Sequence, residues 1–559
     1  MQAVLDLFIA LSRDTGLAFG VFFGLSWILL KSGLLRPREL DPALVRRSLI
    51  LACSGIFLTF LAIQAWYLTR NGFAGEVEPV VSSLSWQLHS GQPLYTTFDQ
   101  AERYSVLYGP SVFLTNGLFL KILGPSLFSA KVASALAAIA SLLLLYAALR
   151  RKTYDTLALV TTAVTVLYYW AQGFSIYLVR PDSLLVFAVS LGLYAAVRSG
   201  RWLAILTVAV ATGFSVNLKI HCFVYFLPVL VLLARRFGPR AAVWSLVGAG
   251  LVTAAPFAFH PQISALNYLH WLTNEAHHGL RLDLLVQPVN FALLLALPLV
   301  VIALLRGRRL GYLGQERWLV WSLLPAVISA LAISAKPGSG ILHLMPLIPT
   351  TMFVAGRLVR PLRDSGLPIW GRPSAWASVA ALALVALLTG GVAEYRSVRL
   401  VDWQLGQMPD LAADVQFIMD EHSDLTMGMA IAGEDRWFRS TWLKPLLVFQ
   451  GNPVLLDPIS VMDTAKAGVP LTQATYDAIS SGRVAMWLVP RAHVPFQKMS
   501  WYDPDQPIFP ADFVQNFQNC YTLREHSEYF DLWFWNGLPK GERKAGQALT
   551  TARTHASAQ

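Results

Sequence analysis

The sequence predicts an all-α polytopic membrane bundle of about twelve spans, with a small C-terminal α/β extracytoplasmic domain. Three observations predict it. The 559 residues are 55% hydrophobic and 14% charged, with a mean hydropathy of +0.50, whereas about a quarter of a soluble domain's residues are charged. Long apolar runs recur along the first 394 residues. The basic residues behind a net charge of +11 sit mostly in short loops between those runs. That placement is a topology signal rather than a nucleic-acid-binding face.

The elements follow in order. The N-terminal stretch MQAVLDLFIALSRDTGLAFG has no basic n-region and no small-residue cleavage site, so no cleaved signal peptide is expected. A span needs about 20 mostly apolar residues, within about 17 to 25. Such runs lie near 8–30, 48–68, 127–149, 156–172, 176–197, 202–218, 220–235, 241–259, 289–305, 317–335, 341–358 and 375–393. The run VLYGPSVFLTNGLFLKIL is broken by Gly109, Pro110, Asn116 and Gly117. It reads as a helix lying in the interface.

The positive-inside rule supports that choice. With 106–123 kept on the outer surface, six basic loops fall on one, cytoplasmic, side: Arg36–Arg47, Arg150–Lys152, Arg198–Arg201, Arg235–Arg240, Arg306–Arg309 and Arg357–Arg372. If it spanned, the later loops would flip outward. The transmembrane domain is thus expected over 1–394, with outer loops at 70–126 and 260–288. After 394 the composition changes, with mixed charge and β-like runs LTMGMAIAG, PVLLD, VAMWLVP and EYFDLWFW. These predict a periplasmic α/β domain over 395–540, a normal domain size. The tail 541–559 has almost no large apolar residue and is expected to be disordered. The scattered cysteines Cys53, Cys222 and Cys520 form neither a disulfide framework nor a zinc spacing.

Ionisable residues at the outer level of the bundle are the candidate site. Glu76 and Glu78 follow the second span, in NGFAGEVEPV; Arg180 and Asp182 open a later one, in YLVRPDSLL; Lys219 and Lys336 close two others, in VNLKIHCF and SAKPGSGILH. Each has a plain alternative. The glutamates can be solvated loop residues, and Asp182 can satisfy a helix start. The lysines can sit at helix C-termini or snorkel to the interface. Convergence argues for function, because ionisable groups at membrane depth usually face a cavity. Carboxylates and lysines there suit a lipid phosphate and a nucleophile that must lose a proton. The Gly-Ser-Gly at 338–340 adds backbone N–H groups able to approach a phosphate. In the loop 260–288, Glu275 and His278 are three apart and share a helix face. They are candidate ligands for a divalent metal, or else surface residues; no zinc spacing is present.

The order of motifs resembles a known superfamily. A span is followed by an outward acidic motif, then GQPLY, then YGP leading to LGPS, then a span ending RRK, then RPD. This is similar to the GT-C membrane glycosyltransferases, in the branch of the protein O-mannosyltransferases and the lipid A aminoarabinose transferase. The resemblance covers about 50–395 and implies transfer of a sugar from a polyprenyl phosphate, outside the cytoplasmic membrane. It implies a catalytic acid in the first outer loop: Glu76 matches by its spacing to Gly91, but Val77 replaces the adjacent family glutamate and Glu78 comes one later. Asp182 matches an aspartate at the outer end of a span, and Lys219 a lysine closing the next outward span. KPGSGILHLMPLIP resembles a late family stretch in which tyrosine often replaces His343.

The function implied is an inverting glycosyltransferase of a bacterial inner membrane, with its active site periplasmic and an envelope glycan, lipid or protein as acceptor. Glu76 and Glu78 are the candidate catalytic pair; Lys219, Lys336 and Arg180 would bind donor phosphate. Asp182, His221, His343 and Tyr108 would line the site. A polytopic transporter or lipid flippase is the alternative, although such proteins usually show paired halves and broken helices near mid-membrane. No half-repeat is visible here.

Overall fold

The computed structural model describes residues 41–151, 155–306, 316–364, 373–432 and 439–538, with a few positions between 21 and 28. Most of the expected first span at 8–30, and the tail at 541–559, lie outside the described residues. The chain divides into two compact units. One comprises Met1–Arg70, Leu107–Tyr268 and His278–Gln404; the other comprises Asn71–Val106, Leu269–His277 and Leu405–Gln559.

The first unit is a bundle of apolar helices. Among the described residues, 9 helices are long and apolar enough to cross a membrane, and each overlaps a run read from the sequence. The expected spans at 156–172 and 202–218 are the shorter apolar helices Thr156–Trp170 and Arg201–Val216. The broken run forms Pro110–Leu123, of 14 residues. At 1.5 Å per residue it reaches about 21 Å, short of a hydrocarbon core of about 30 Å. Pro239–Phe259 leaves Val243, Trp244, Leu246, Val247 and Leu251 exposed, an apolar surface suited to acyl chains rather than water.

Local chemistry sets the helix starts. Asp41 accepts a hydrogen bond from the Ala43 N–H at 2.9 Å, ahead of Pro42 at the first helical position. The Ser126 hydroxyl accepts from the Ser129 N–H at 3.1 Å, and Asp155 from the N–H groups of Leu157 and Ala158. Each satisfies helix donors that would otherwise be orphaned. Arg201–Val216 and Pro239–Phe259 pack closely through small residues: a Cβ at Gly213 would lie 2.6 Å from the Ala249 carbonyl oxygen. Close backbone approach of this kind is the usual basis of helix pairing in lipid.

Irregular stretches interrupt the bundle, and three of those among the described residues bear on the site. Trp170 and Pro181 are separated by a short 3₁₀ segment, Gly173–Tyr177; Ile220–Phe226 and Ile341–Leu344 are likewise 3₁₀. In this alternating bundle they lie at the helix ends opposite the basic turns. Non-helical backbone in a membrane protein is tolerated where protein buries it or it lines a cavity.

The second unit is α/β. Strands β1 Met427–Met429, β2 Met486–Pro490, β3 Tyr521–His526 and β4 Phe530–Trp535 form one sheet in the order β1-β2-β4-β3. β1 and β2 are parallel, and the other two pairs antiparallel, with Met427 opposite Met486 and Leu488 opposite Leu532. A core of Trp487, Phe496, Phe509, Phe513, Phe517 and Tyr521 covers one face.

The structure changes the reading of the C-terminal strands. PVLLD is not a strand; it makes a single bridge, Arg103 to Leu456. YTLREH is one, its side chains alternating between inside and outside. The helix Pro373–Leu405 runs unbroken for 33 residues, and the two compact units divide after Gln404. Residues 71–106 belong to the second unit, together with the C-terminal part. Buried Arg103 holds them there: its guanidinium donates to the Phe98 and Pro470 carbonyls, while its backbone pairs with Leu455 and Asp457.

Candidate active site

In the first unit the irregular stretches bring the predicted polar residues together. Arg180 is the extended residue before Pro181, and Asp182 lies in the first turn of that helix. The Lys219 ammonium donates to an Asp182 carboxylate oxygen at 2.7 Å, and the Arg180 guanidinium lies 3.5 Å from the other oxygen. Asp182 and Lys219 are both buried. The carboxylate therefore does more than cap a helix, and the lysine does not snorkel to a surface. Burying two ions is costly unless the pair is well made, so this contact needs the support around it.

That support comes from the two residues before Lys219, Asn217 and Leu218. The Asn217 side-chain amide donates to the Val252 and Thr253 carbonyls at 3.3 and 3.1 Å. From the other side the Gly109 and Ser111 N–H groups donate to the carbonyls of Leu218 and Asn217 at 3.1 and 2.9 Å. Gly109 is required there, since a Cβ would collide with the Asn217 carbonyl. This explains why YGP and NLK matter as motifs: one clamps the other.

The remaining residues close around the pair. The Lys219 ammonium lies 5.7 Å from the Tyr108 ring centroid, and Arg180 reaches the Tyr108 hydroxyl at 3.5 Å. His221 Nε2 and His343 Nδ1 are 3.1 Å apart, so one ring donates and the other accepts. The Tyr225 hydroxyl donates to the His343 carbonyl at 2.7 Å. Lys336, half-buried, acts electrostatically on both imidazoles. Two cations, Arg180 and Lys219, thus flank one carboxylate, and a third, Lys336, acts on the histidines beside it. The cluster favours an anion.

The two glutamates lie in the second unit. Glu76 immediately precedes the helix Val77–His89, and its half-buried side chain makes no capping hydrogen bond. Glu78 is fully buried, and its Oε1 accepts from the N–H groups of Ala74 and Gly75 at 2.9 and 3.0 Å. It clamps the turn that presents Glu76. Glu275 belongs to the second unit and His278 to the first, both buried.

The sequence reading passed over Glu394, buried in the last span of the first unit beside Tyr177. The Trp170 indole N–H donates to that tyrosine's hydroxyl at 2.7 Å. The signal was an acid at the end of an apolar run, LLTGGVAEYR.

Comparison with known proteins adds fold and family context. Residues 108–263 match the family described as dolichyl-phosphate-mannose-protein mannosyltransferase. That segment carries Tyr108, Arg180, Asp182, Lys219 and His221. No curated protein matches by sequence. The crystal structure of ArnT from Cupriavidus metallidurans bound to undecaprenyl phosphate is similar with a TM-score of 0.52 at 13% identity, over 86% of this chain and 98% of that one. Its apo form gives 0.48 at 12%, over 86% and 96%. The oligosaccharyltransferase AglB from Archaeoglobus fulgidus, in complex with an inhibitory peptide and a dolichol-phosphate, gives 0.38 at 11%, over 75% and 66%. The first of these likenesses identifies the GT-C fold.

Proposed function

Starting from a polytopic membrane chain of GT-C fold, we propose that it is an inverting glycosyltransferase using a polyprenyl-phosphate sugar as donor. The acceptor is a hydroxyl on the outer side of a bacterial inner membrane. The observation that carries this reading is the Arg180–Asp182–Lys219 cluster, buried at Asp182 and Lys219, with Lys336 in electrostatic reach of the flanking histidines. It lies at the ends of the spans opposite the basic turns.

In the reaction, the acceptor oxygen bonds to the anomeric carbon as the bond from that carbon to the phosphate oxygen breaks. The bonding pair leaves with the phosphate, and the proton passes to the Glu76 carboxylate. A hydroxyl is a poor nucleophile near neutral pH, so a positioned base is needed. The leaving phosphate needs no proton if cations stabilise its charge. Lys219, Lys336 and Arg180 supply that stabilisation, while Asp182 holds Lys219 in place. Glu78 fixes the turn before the base.

A synthetic polyprenyl-phosphate sugar given to the purified protein tests the donor. Lys336→Met keeps the apolar stem and removes the charge. Losing a charge-assisted hydrogen bond costs about 1.5–3 kcal/mol, so donor affinity should fall roughly tenfold or more. Unchanged donor binding would remove Lys336 from the site.

Orientation is tested separately. An alkaline phosphatase fusion after Gly537 should be active and one at Gly238 inactive, because the basic turns face the cytoplasm. The reverse pattern would turn both glutamates inward and overturn the proposal.

A further inference from the structure

The second unit contains a groove of about 270 Å³ that the reaction above does not use. Its size approaches the lower end of small-molecule sites, about 300 Å³. Helix Val77–His89 and the turn after it contribute Trp86, Gln87 and Gln92; the following segment contributes Gln100 and Glu102, and the C-terminal part contributes Arg483.

Gln87 points to a ligand. Its residue is 8% exposed and lines the groove, yet its Oε1 has no hydrogen-bond partner. Buried amide oxygens are nearly always paired, and a donor in the groove would pair this one. The charge on the walls decides the ligand's class. Glu102 and Arg483 are bonded to each other, so their charges cancel and neither sign is favoured. The Tyr104 hydroxyl donates to the Pro93 carbonyl at 2.7 Å, and burial together with the Glu102 charge pushes its pKa up, so it stays neutral. Exposed Gln92 and Gln100 add amides at the rim. Trp86 is half-buried, with Phe449 edge-on at 6.2 Å. An aromatic ring, several amides and no net charge match the apolar C–H faces and the hydroxyl groups of a sugar.

We propose that this groove is a carbohydrate-binding subsite taking an uncharged sugar unit. On the glycosyltransferase reading, that unit belongs to the acceptor and is held apart from the reacting hydroxyl. Binding of free sugar does not depend on that reading, so the two fail separately.

The test is saturation-transfer NMR on the full-length protein in detergent. The probes are the methyl glycosides of glucose, mannose, galactose and N-acetylglucosamine, and their β-linked disaccharides. At least one probe should bind, and Glu76→Gln should bind it equally well. Gln87→Leu keeps the bulk and should weaken binding about tenfold without lowering Tm, since it removes an amide oxygen that has no partner. The rim variant Gln92→Ala should weaken it by a few-fold while leaving the fold untouched. The proposal is overturned if no probe binds. It is overturned equally if both groove variants bind as wild type, or if polyprenyl phosphate competes with the sugar.

Discussion

Glu76→Gln should lower turnover about 10²–10⁴-fold, the loss expected when general base catalysis is removed, with donor binding largely intact. The substitution keeps size and shape and removes only the ability to accept a proton. Glu76 sits at the mouth of its helix with no cap bond to satisfy, so the change should cost little stability. Glu78→Gln should behave differently. Its carboxylate is buried and holds the Ala74 and Gly75 N–H groups, and weakening hydrogen bonds to a charged group costs about 1.5–3 kcal/mol. The expected signature is a lower Tm with a smaller loss of turnover. Full turnover by Glu76→Gln with none in Glu78→Gln would move the base to Glu78. Full turnover by both would sink the mechanism.

Asp182→Ala should be the most destabilising single change in the cluster. It leaves the Lys219 charge buried without its carboxylate, and breaking a buried pair by removing one partner costs about 3–5 kcal/mol. Asp182→Asn combined with Lys219→Met removes both charges of the closest contact and should recover much of that loss. Activity should not recover with it, because a cation beside the donor phosphate is gone. Thermal unfolding in detergent together with donor binding separates the two effects. If the double variant is no more stable than Asp182→Ala, the pair is not the unit described here. If it regains stability and also turns over normally, Lys219 has no part in the chemistry.

The bundle was legible because each span is a local signal: a run of apolar residues, bounded by basic turns on one side. The candidate site was legible in a weaker way. RPD and NLK stood out as ionisable residues beside apolar runs, and the structure joins them at 2.7 Å. Their sequence separation hid the pairing itself, and so did the role of Gly109, whose partner is a carbonyl in another segment. The second unit was read less well for the same reason. Residues 71–106 look like a loop until Arg103 is seen bound to Pro470, a contact no local pattern announces. YTLREH hid its alternation behind charged residues, whereas PVLLD has the composition of a strand and only one bridging partner. Glu394 was missed because it falls just past an apolar run and looks like the start of a loop.

The central claim, sugar transfer from a polyprenyl phosphate outside the membrane, is tested most directly in cells. Envelope glycans and lipid-linked sugars would be measured by mass spectrometry in cells carrying the wild-type chain or Glu76→Gln, matched for protein level. The account predicts that one sugar disappears from an envelope component in the variant while its polyprenyl-phosphate donor accumulates. An unchanged envelope and an unchanged donor pool would contradict it.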